Sequence, residues 1–146
     1  RGKDDSFGLE AIDTLVKGME DHRDDLVVIL AGYSKEMEQF LTANSGLASR
    51  FPNKIEFPDY TGEELWRILE LSAKGRGYRL AEDCQAPLIE YFTRAQAENA
   101  AENGNGRMAR NLLERAILNQ SRRLAAEPQA ALDELTLGDF ALDEIE

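Results

Sequence analysis

The sequence predicts an α/β segment over residues 1–60 followed by an all-α helical domain over residues 61–146. Three observations carry that expectation. Leu26-Val-Val-Ile-Leu-Ala-Gly32 is an unbroken apolar run bounded by turn residues, the pattern of a strand buried on both faces of a parallel sheet. A helical stripe precedes this run, and a further helix leads to a short second strand, Lys54-Ile-Glu-Phe57, giving the helix, strand, helix, strand order of α/β folds. Beyond Pro58-Asp-Tyr-Thr61 every apolar pattern has a helical period.

Each element has its own local reason. Leu9, Ile12, Leu15, Val16 and Met19 recur at three-and-four spacing, which puts one apolar stripe on a helix over 9–21, with Asp4, Asp5 and Ser6 favourable at its start. His22 is placed to favour the negative end of that helix. Ser34 is expected to cap the next helix, which turns Met37, Phe40 and Leu41 inward and ends at Asn44 to Gly46. Arg50 then sits in a tight turn before the second strand. Thr61-Gly-Glu-Glu64 reads as a capping box that opens a helix with Leu65, Ile68, Leu69 and Ser72 on one face, closed by Gly75 and Gly77. Pro87 fits only near a helix start, so Asp83 is the expected cap of a helix carrying Leu88, Tyr91, Phe92 and Ala95. A polar loop is expected from Asn99 to Gly106. The following helix buries Ala109, Leu112, Leu113, Ala116, Ile117 and Leu124, and a last short helix begins near Thr136 with Phe140 and Leu142 inward. Trp66, Tyr91 and Phe92 read as packing residues because of the area their rings bury.

The bulk numbers narrow the function. With 146 residues, 42% hydrophobic and 31% charged, the chain has a soluble globular composition. A net charge of −11 argues against a nucleic-acid surface, which needs a basic stripe. Cys84 is the one cysteine and His22 the one histidine, so neither a disulfide nor a Cys/His metal cluster is expected, in keeping with a reducing cytoplasm. No apolar run reaches the roughly 18 to 20 residues of a membrane span, and Arg1 to Ser6 do not read as a signal peptide. The chain lacks an initiator methionine and reads as an excised piece. No carboxylate dyad or nucleophile and base set points to a separate catalytic centre.

Phe7-Gly-Leu-Glu-Ala-Ile-Asp-Thr-Leu-Val-Lys-Gly-Met-Glu-Asp-His22, Leu26-Val-Val-Ile-Leu-Ala-Gly-Tyr33, and Phe51 with Phe57-Pro-Asp-Tyr60 together resemble the stage V sporulation protein K and CbbX branch of the AAA+ ATPases, over most of the chain. The resemblance implies an α/β remnant of a parallel-sheet P-loop NTPase core followed by an all-α helical lid domain. It implies a hexameric protein-remodelling ATPase that uses ATP and Mg²⁺ and acts on a protein substrate; by the charge and hydropathy above, neither nucleic acid nor membrane is an expected partner. Arg50 aligns with the arginine finger, which acts on the neighbouring subunit's γ-phosphate. Tyr33 falls at the sensor-1 position, with Ser34 as the alternative, and Arg107 aligns with the sensor-2 arginine of the lid, with Arg110 one turn on as a second candidate. No Gly-x-x-x-x-Gly-Lys-Ser/Thr occurs, and Asp4-Asp5 has no apolar strand before it, so this chain alone is expected to bind nucleotide weakly and not to hydrolyse it. In the family's strand order both neighbours of the 26–32 strand lie outside the chain. Unpaired edges of that kind favour self-association or rearrangement of residues 1–60.

Two independent considerations bear on the arginines. Cations in the first turn of a helix oppose its macrodipole, so Arg107 and Arg110 call for an anion nearby. That anion is either a nucleotide phosphate or a local carboxylate, Glu114 pairing with Arg110 at i,i+4 or Glu102 in the loop. The alternative to an ATPase role is a non-catalytic acidic helical module that docks on a basic partner, with its arginines in structural ion pairs.

Overall fold

The computed structural model describes residues 6–44 and 46–144, without the side chains of residues 6, 7 and 99–103. The chain separates into two compact units, Arg1–Glu56 and Phe57–Glu146. Its described residues are mostly helical.

The first unit contains α1 (Ser6–Asp21), α2 (Ser34–Ala43) and the one-turn α3 (Leu47–Arg50). The apolar stripe of α1 forms its helix but stays shallow, with Ile12, Leu15, Val16 and Met19 only half-buried and Leu9 exposed. Tyr33, not Ser34, occupies the N-cap of α2 and makes no side-chain cap bond. Asn44 closes α2 as expected, donating from Nδ2 to the Phe40 carbonyl at 2.8 Å. Leu41 and Leu47 are the buried anchors of this unit.

Both predicted strands require correction. Residues 26–33 and 51–61 carry no regular secondary structure, and Val27, Ile29, Ile55 and Phe57 are each more than 80% exposed. An unbroken apolar run specifies a strand only where backbone neighbours exist on both sides. Among the described residues none pairs with these segments, so the α/β expectation for residues 1–60 is not realised. Arg50, expected in a turn before a strand, is instead the last residue of α3.

The second unit holds α4 (Gly62–Gly75), β1 (Arg79–Leu80), a 3₁₀ turn (Glu82–Cys84), α5 (Gln85–Asn103), α6 (Gly106–Ala126), β2 (Glu134–Leu135), α7 (Leu137–Phe140) and a final 3₁₀ turn (Leu142–Glu144). The Thr61 capping box forms in full: Glu64 N–H donates to Thr61 Oγ1 at 3.2 Å, and Thr61 N–H donates to Glu64 Oε1 at 3.0 Å. Gly77, at φ 83°, supplies the left-handed turn that ends α4. Asp83 lies inside the 3₁₀ turn rather than capping α5, and α5 runs through the expected loop to Asn103, leaving only Gly104 and Asn105 as the connection to α6.

Leu65, Trp66, Leu69 and Ala73 of α4 close against Leu88 and Phe92 of α5 and Met108, Ala109, Leu112, Leu113 and Ala116 of α6. Phe140 of α7 and Leu135 of β2 complete this core. Full burial of each large apolar side chain contributes about 1.5–3 kcal/mol. The parallel pairing of β1 with β2, Arg79 opposite Glu134 and Leu80 opposite Leu135, is the one departure from an all-α unit among the described residues. A buried ion pair fastens this strand and α7 to α6. Arg123 donates from Nε and Nη2 to the two carboxylate oxygens of Asp139, both at 3.0 Å, and Asp139 is only 3% exposed.

Candidate functional site

The two arginines at the head of α6 are exposed, and among the described residues neither makes an ion pair or a side-chain hydrogen bond. The first turn of α6 contains no acidic residue. The i,i+4 pair of Arg110 with Glu114, one of the alternatives to a phosphate, is not formed; Glu114 pairs with Arg76 at the end of α4. Glu102, the other local carboxylate considered, has a side chain outside the described residues. Arg107 and Arg110 lie three residues apart on one helical face, so their charges repel each other and the positive end of the helix dipole.

The turn that aims them is built by Gly104 and Asn105. Gly104 has φ 71° and Asn105 has φ 47°, ψ −115°; Arg107 N–H then donates to the Gly104 carbonyl at 3.0 Å and Met108 N–H to the Asn105 carbonyl at 2.9 Å. Asn105 Oδ1 accepts from Tyr60 N–H (3.0 Å) and from Gln96 Nε2 (2.6 Å), while its Nδ2 donates to Asp59 Oδ1 (2.8 Å). Asn105 and Gln96 went unnoticed as sequence features. The available signal was a lone asparagine between two glycines, since asparagine is the non-glycine residue that best tolerates positive φ.

In the first unit, Arg50 is held locally. Its Nη1 donates to the Gly46 carbonyl at 2.9 Å and its Nη2 pairs with Glu20 of α1. Gly46 sits at φ 85°, a conformation that favours glycine, and a Cβ there would lie 2.9 Å from Arg50 Nη1 and displace it. The pair borders an open hollow of about 550 Å³, lined also by Arg23, Leu26, Val27 and Ser49. Tyr33 is 64% exposed at the start of α2. The structure thus brings Arg107 and Arg110 together on one helix, and gives Arg50 a carboxylate partner within its own unit.

Among the described residues no three His, Cys, Asp or Glu side chains converge on a point that suits a metal ion, and no helix is long and apolar enough to cross a membrane. The thiol of Cys84, fully buried, is pushed up to about 11 by burial and by Asp83, which keeps it protonated at neutral pH.

Residues 61–146 match the family model described as the AAA lid domain. The chain is 43% identical to stage V sporulation protein K of Bacillus subtilis over 85% of its own length and 39% of that protein. It is 38% identical to the chloroplastic ribulose bisphosphate carboxylase/oxygenase activase of Cyanidioschyzon merolae over 95% of its length and 47% of that protein. It is also 40% identical to protein CbbX of Cereibacter sphaeroides, over 95% of its length and 44% of that protein. The chain spans less than half the length of these relatives. The lid-domain match and the agreement of these relatives, joined to a helical unit built on a capped α4–α5–α6 core, show that the chain belongs to the stage V sporulation protein K and CbbX branch of the AAA+ ATPases.

Proposed function

We propose that this chain contributes the arginine finger and the helical lid, residues 61–146, of an ATP-dependent protein-remodelling ATPase that works as a ring in the cytoplasm. The observation that carries this reading is the pair of exposed arginines at the head of α6, which have no carboxylate partner among the described residues and face the unfavourable end of the helix dipole. A nucleotide phosphate relieves both repulsions. In this reading Arg107 binds the terminal phosphates, Arg110 supports it, and Arg50 neutralises charge on the γ-phosphate of a neighbouring subunit's nucleotide. Tyr33, or Ser34 beside it, orients the attacking water. Mg²⁺ would supply charge neutralisation to a bound nucleotide; no cluster among the described residues is arranged to hold it.

Arg50 has a specific requirement: it must leave Glu20 to reach a phosphate. A guanidinium already paired with one carboxylate at a half-exposed site exchanges readily, because an exposed ion pair contributes only about 0–1 kcal/mol. The same pairing favours the alternative, a non-catalytic acidic interaction module in which Arg50 is structural. ATP hydrolysis by the natural gene product that carries these residues decides between them. Arg50→Ala is expected to lower kcat by at least about 100-fold with nucleotide binding retained. Unchanged turnover in Arg50→Ala, together with unchanged KM in Arg107→Ala, refutes the ATPase assignment of both residues.

A further inference from the structure

Asn105 adopts a backbone conformation that glycine would adopt at far less cost, and glycines stand on either side of it. What its side chain does accounts for an asparagine there. Tyr60 lies in the segment that leads into α4, and both its backbone groups are held by side-chain amides: its N–H by Asn105 Oδ1, and its carbonyl by Gln96 Nε2 at 2.8 Å. Gln96 Nε2 also donates to Asn105 Oδ1, and Asn105 Nδ2 donates to Asp59. Two acceptors facing Nε2 fix the sense of the Gln96 amide, and one asparagine ties together the entry segment, α5 and the first turn of α6. Two residues further on is Arg107.

We propose that Asn105 is a positioning residue for Arg107: its side chain clamps Asp59 and Tyr60 to the turn from which Arg107 projects, so that displacement of the entry segment is transmitted to that arginine. The inference rests on the reading of Arg107 as a phosphate-binding group. It uses strain as a device. A glycine at 105 gives the same turn with no link to Tyr60, whereas the asparagine accepts an unfavourable φ and gains three side-chain hydrogen bonds, to Asp59, Tyr60 and Gln96.

Asn105→Gly is the informative variant, because it keeps the turn and removes the clamp. In the 146-residue chain, amide exchange followed by NMR is expected to show the Tyr60 N–H exchanging about tenfold faster, with the Gln96 side-chain amide signals shifted and Leu69 and Leu113 still protected. In the natural gene product that carries these residues, Asn105→Gly is expected to raise KM for ATP about fivefold with kcat within about twofold, and to add nothing in an Arg107→Ala background. The exchange Asp59→Asn with Asn105→Asp reverses the bond between the two side chains but keeps one donor facing one acceptor, and is expected to restore KM, whereas Asn105→Asp alone sets two carboxylates face to face and raises it. Additive effects of Asn105→Gly and Arg107→Ala, or an unchanged KM in Asn105→Gly, overturn the positioning role. If Arg107→Ala itself leaves KM unchanged, the phosphate-binding reading fails instead, and the positioning role falls with it.

Discussion

Replacing Arg123 with methionine keeps the aliphatic stem and removes a guanidinium that makes three hydrogen bonds, two to Asp139 at 3.0 Å and one to the Glu134 carbonyl at 3.2 Å, and a looser ion pair with Glu127 at 3.9 Å. Asp139 is then left 3% exposed with only the Thr136 N–H, at 2.8 Å, and the Thr136 hydroxyl to stabilise its charge. Breaking a fully buried pair costs about 3–5 kcal/mol; Arg123 retains 22% side-chain exposure, which admits some water and brings the expectation to about 2–3 kcal/mol. For a domain of this size that is a fall in Tm of about 10–20 °C. Fluorescence of Trp66, the one tryptophan and buried in the helical core, reads the transition. The pH dependence gives a second check. Burial alone would raise the Asp139 carboxyl, but its bonds to Arg123 and Thr136 outweigh burial and hold it below 3.8. A carboxylate with a lowered folded value contributes stability above its unfolded value of about 3.9 and loses it as pH falls through the folded one. In Arg123→Met burial is opposed only by the Thr136 hydrogen bonds, the carboxyl rises, and the penalty present at pH 7 fades as acid protonates it. The gap between the variant and the parent should therefore narrow toward pH 4, and adding Asp139→Asn should recover part of the loss at pH 7. A Tm change under about 3 °C at pH 7, or a gap that widens on acidification, refutes this account of what fastens β2 and α7 to α6.

Gly62→Ala should destabilise the helical unit by about 1–3 kcal/mol in denaturant titration, since the added Cβ would strike Thr93 Oγ1 and lie 2.7 Å from the Ile89 carbonyl of α5. Thr61→Ala should cost about 1 kcal/mol in the same titration by removing the hydroxyl half of the capping box. Labelling of Cys84 by a thiol reagent should proceed only through unfolding of the helical unit, so its rate should rise in Gly62→Ala; rapid labelling of the native chain would contradict full burial. Because the folded thiol is raised from 9.0 to about 11, its contribution to stability is present below pH 9 and is lost as pH rises through 11.

The helical unit is legible because local and tertiary signals agree in it. Thr61 and Glu64 are sequence neighbours, so their reciprocal cap can be read directly, and the stripe Ala109, Leu112, Leu113, Ala116 is buried as its spacing requires. Gln120 continues that stripe and is 2% exposed, a polar residue that the apolar pattern passes over because its partners, the carbonyls of Leu132 in the return loop and of Glu134 at the start of β2, lie far along the chain. The β1–β2 pair is two residues long on each side, too short for any periodicity. The first unit fails for the opposite reason. The run Leu26 to Gly32 states correctly what kind of surface it needs, but a strand is completed by its neighbours' backbones, and composition cannot say whether those are present.

The candidate site divides along the same line. That Arg107 and Arg110 share the head of a helix follows from where the stripe begins, and neither has a carboxylate partner among the described residues. Arg50 is different: residue type and turn context are visible in the sequence, whereas its pairing depends on α1 returning past it, thirty residues away in the chain, to present Glu20. The reach of an arginine is therefore harder to read than its location, because a guanidinium takes whichever carboxylate or phosphate the fold brings within hydrogen-bonding distance. Asn105 shows where such competition is settled in advance: both hydrogen-bonding groups of its amide are committed to Asp59, Tyr60 and Gln96, so the turn before Arg107 is fixed while the arginine itself is left unpaired among the described residues.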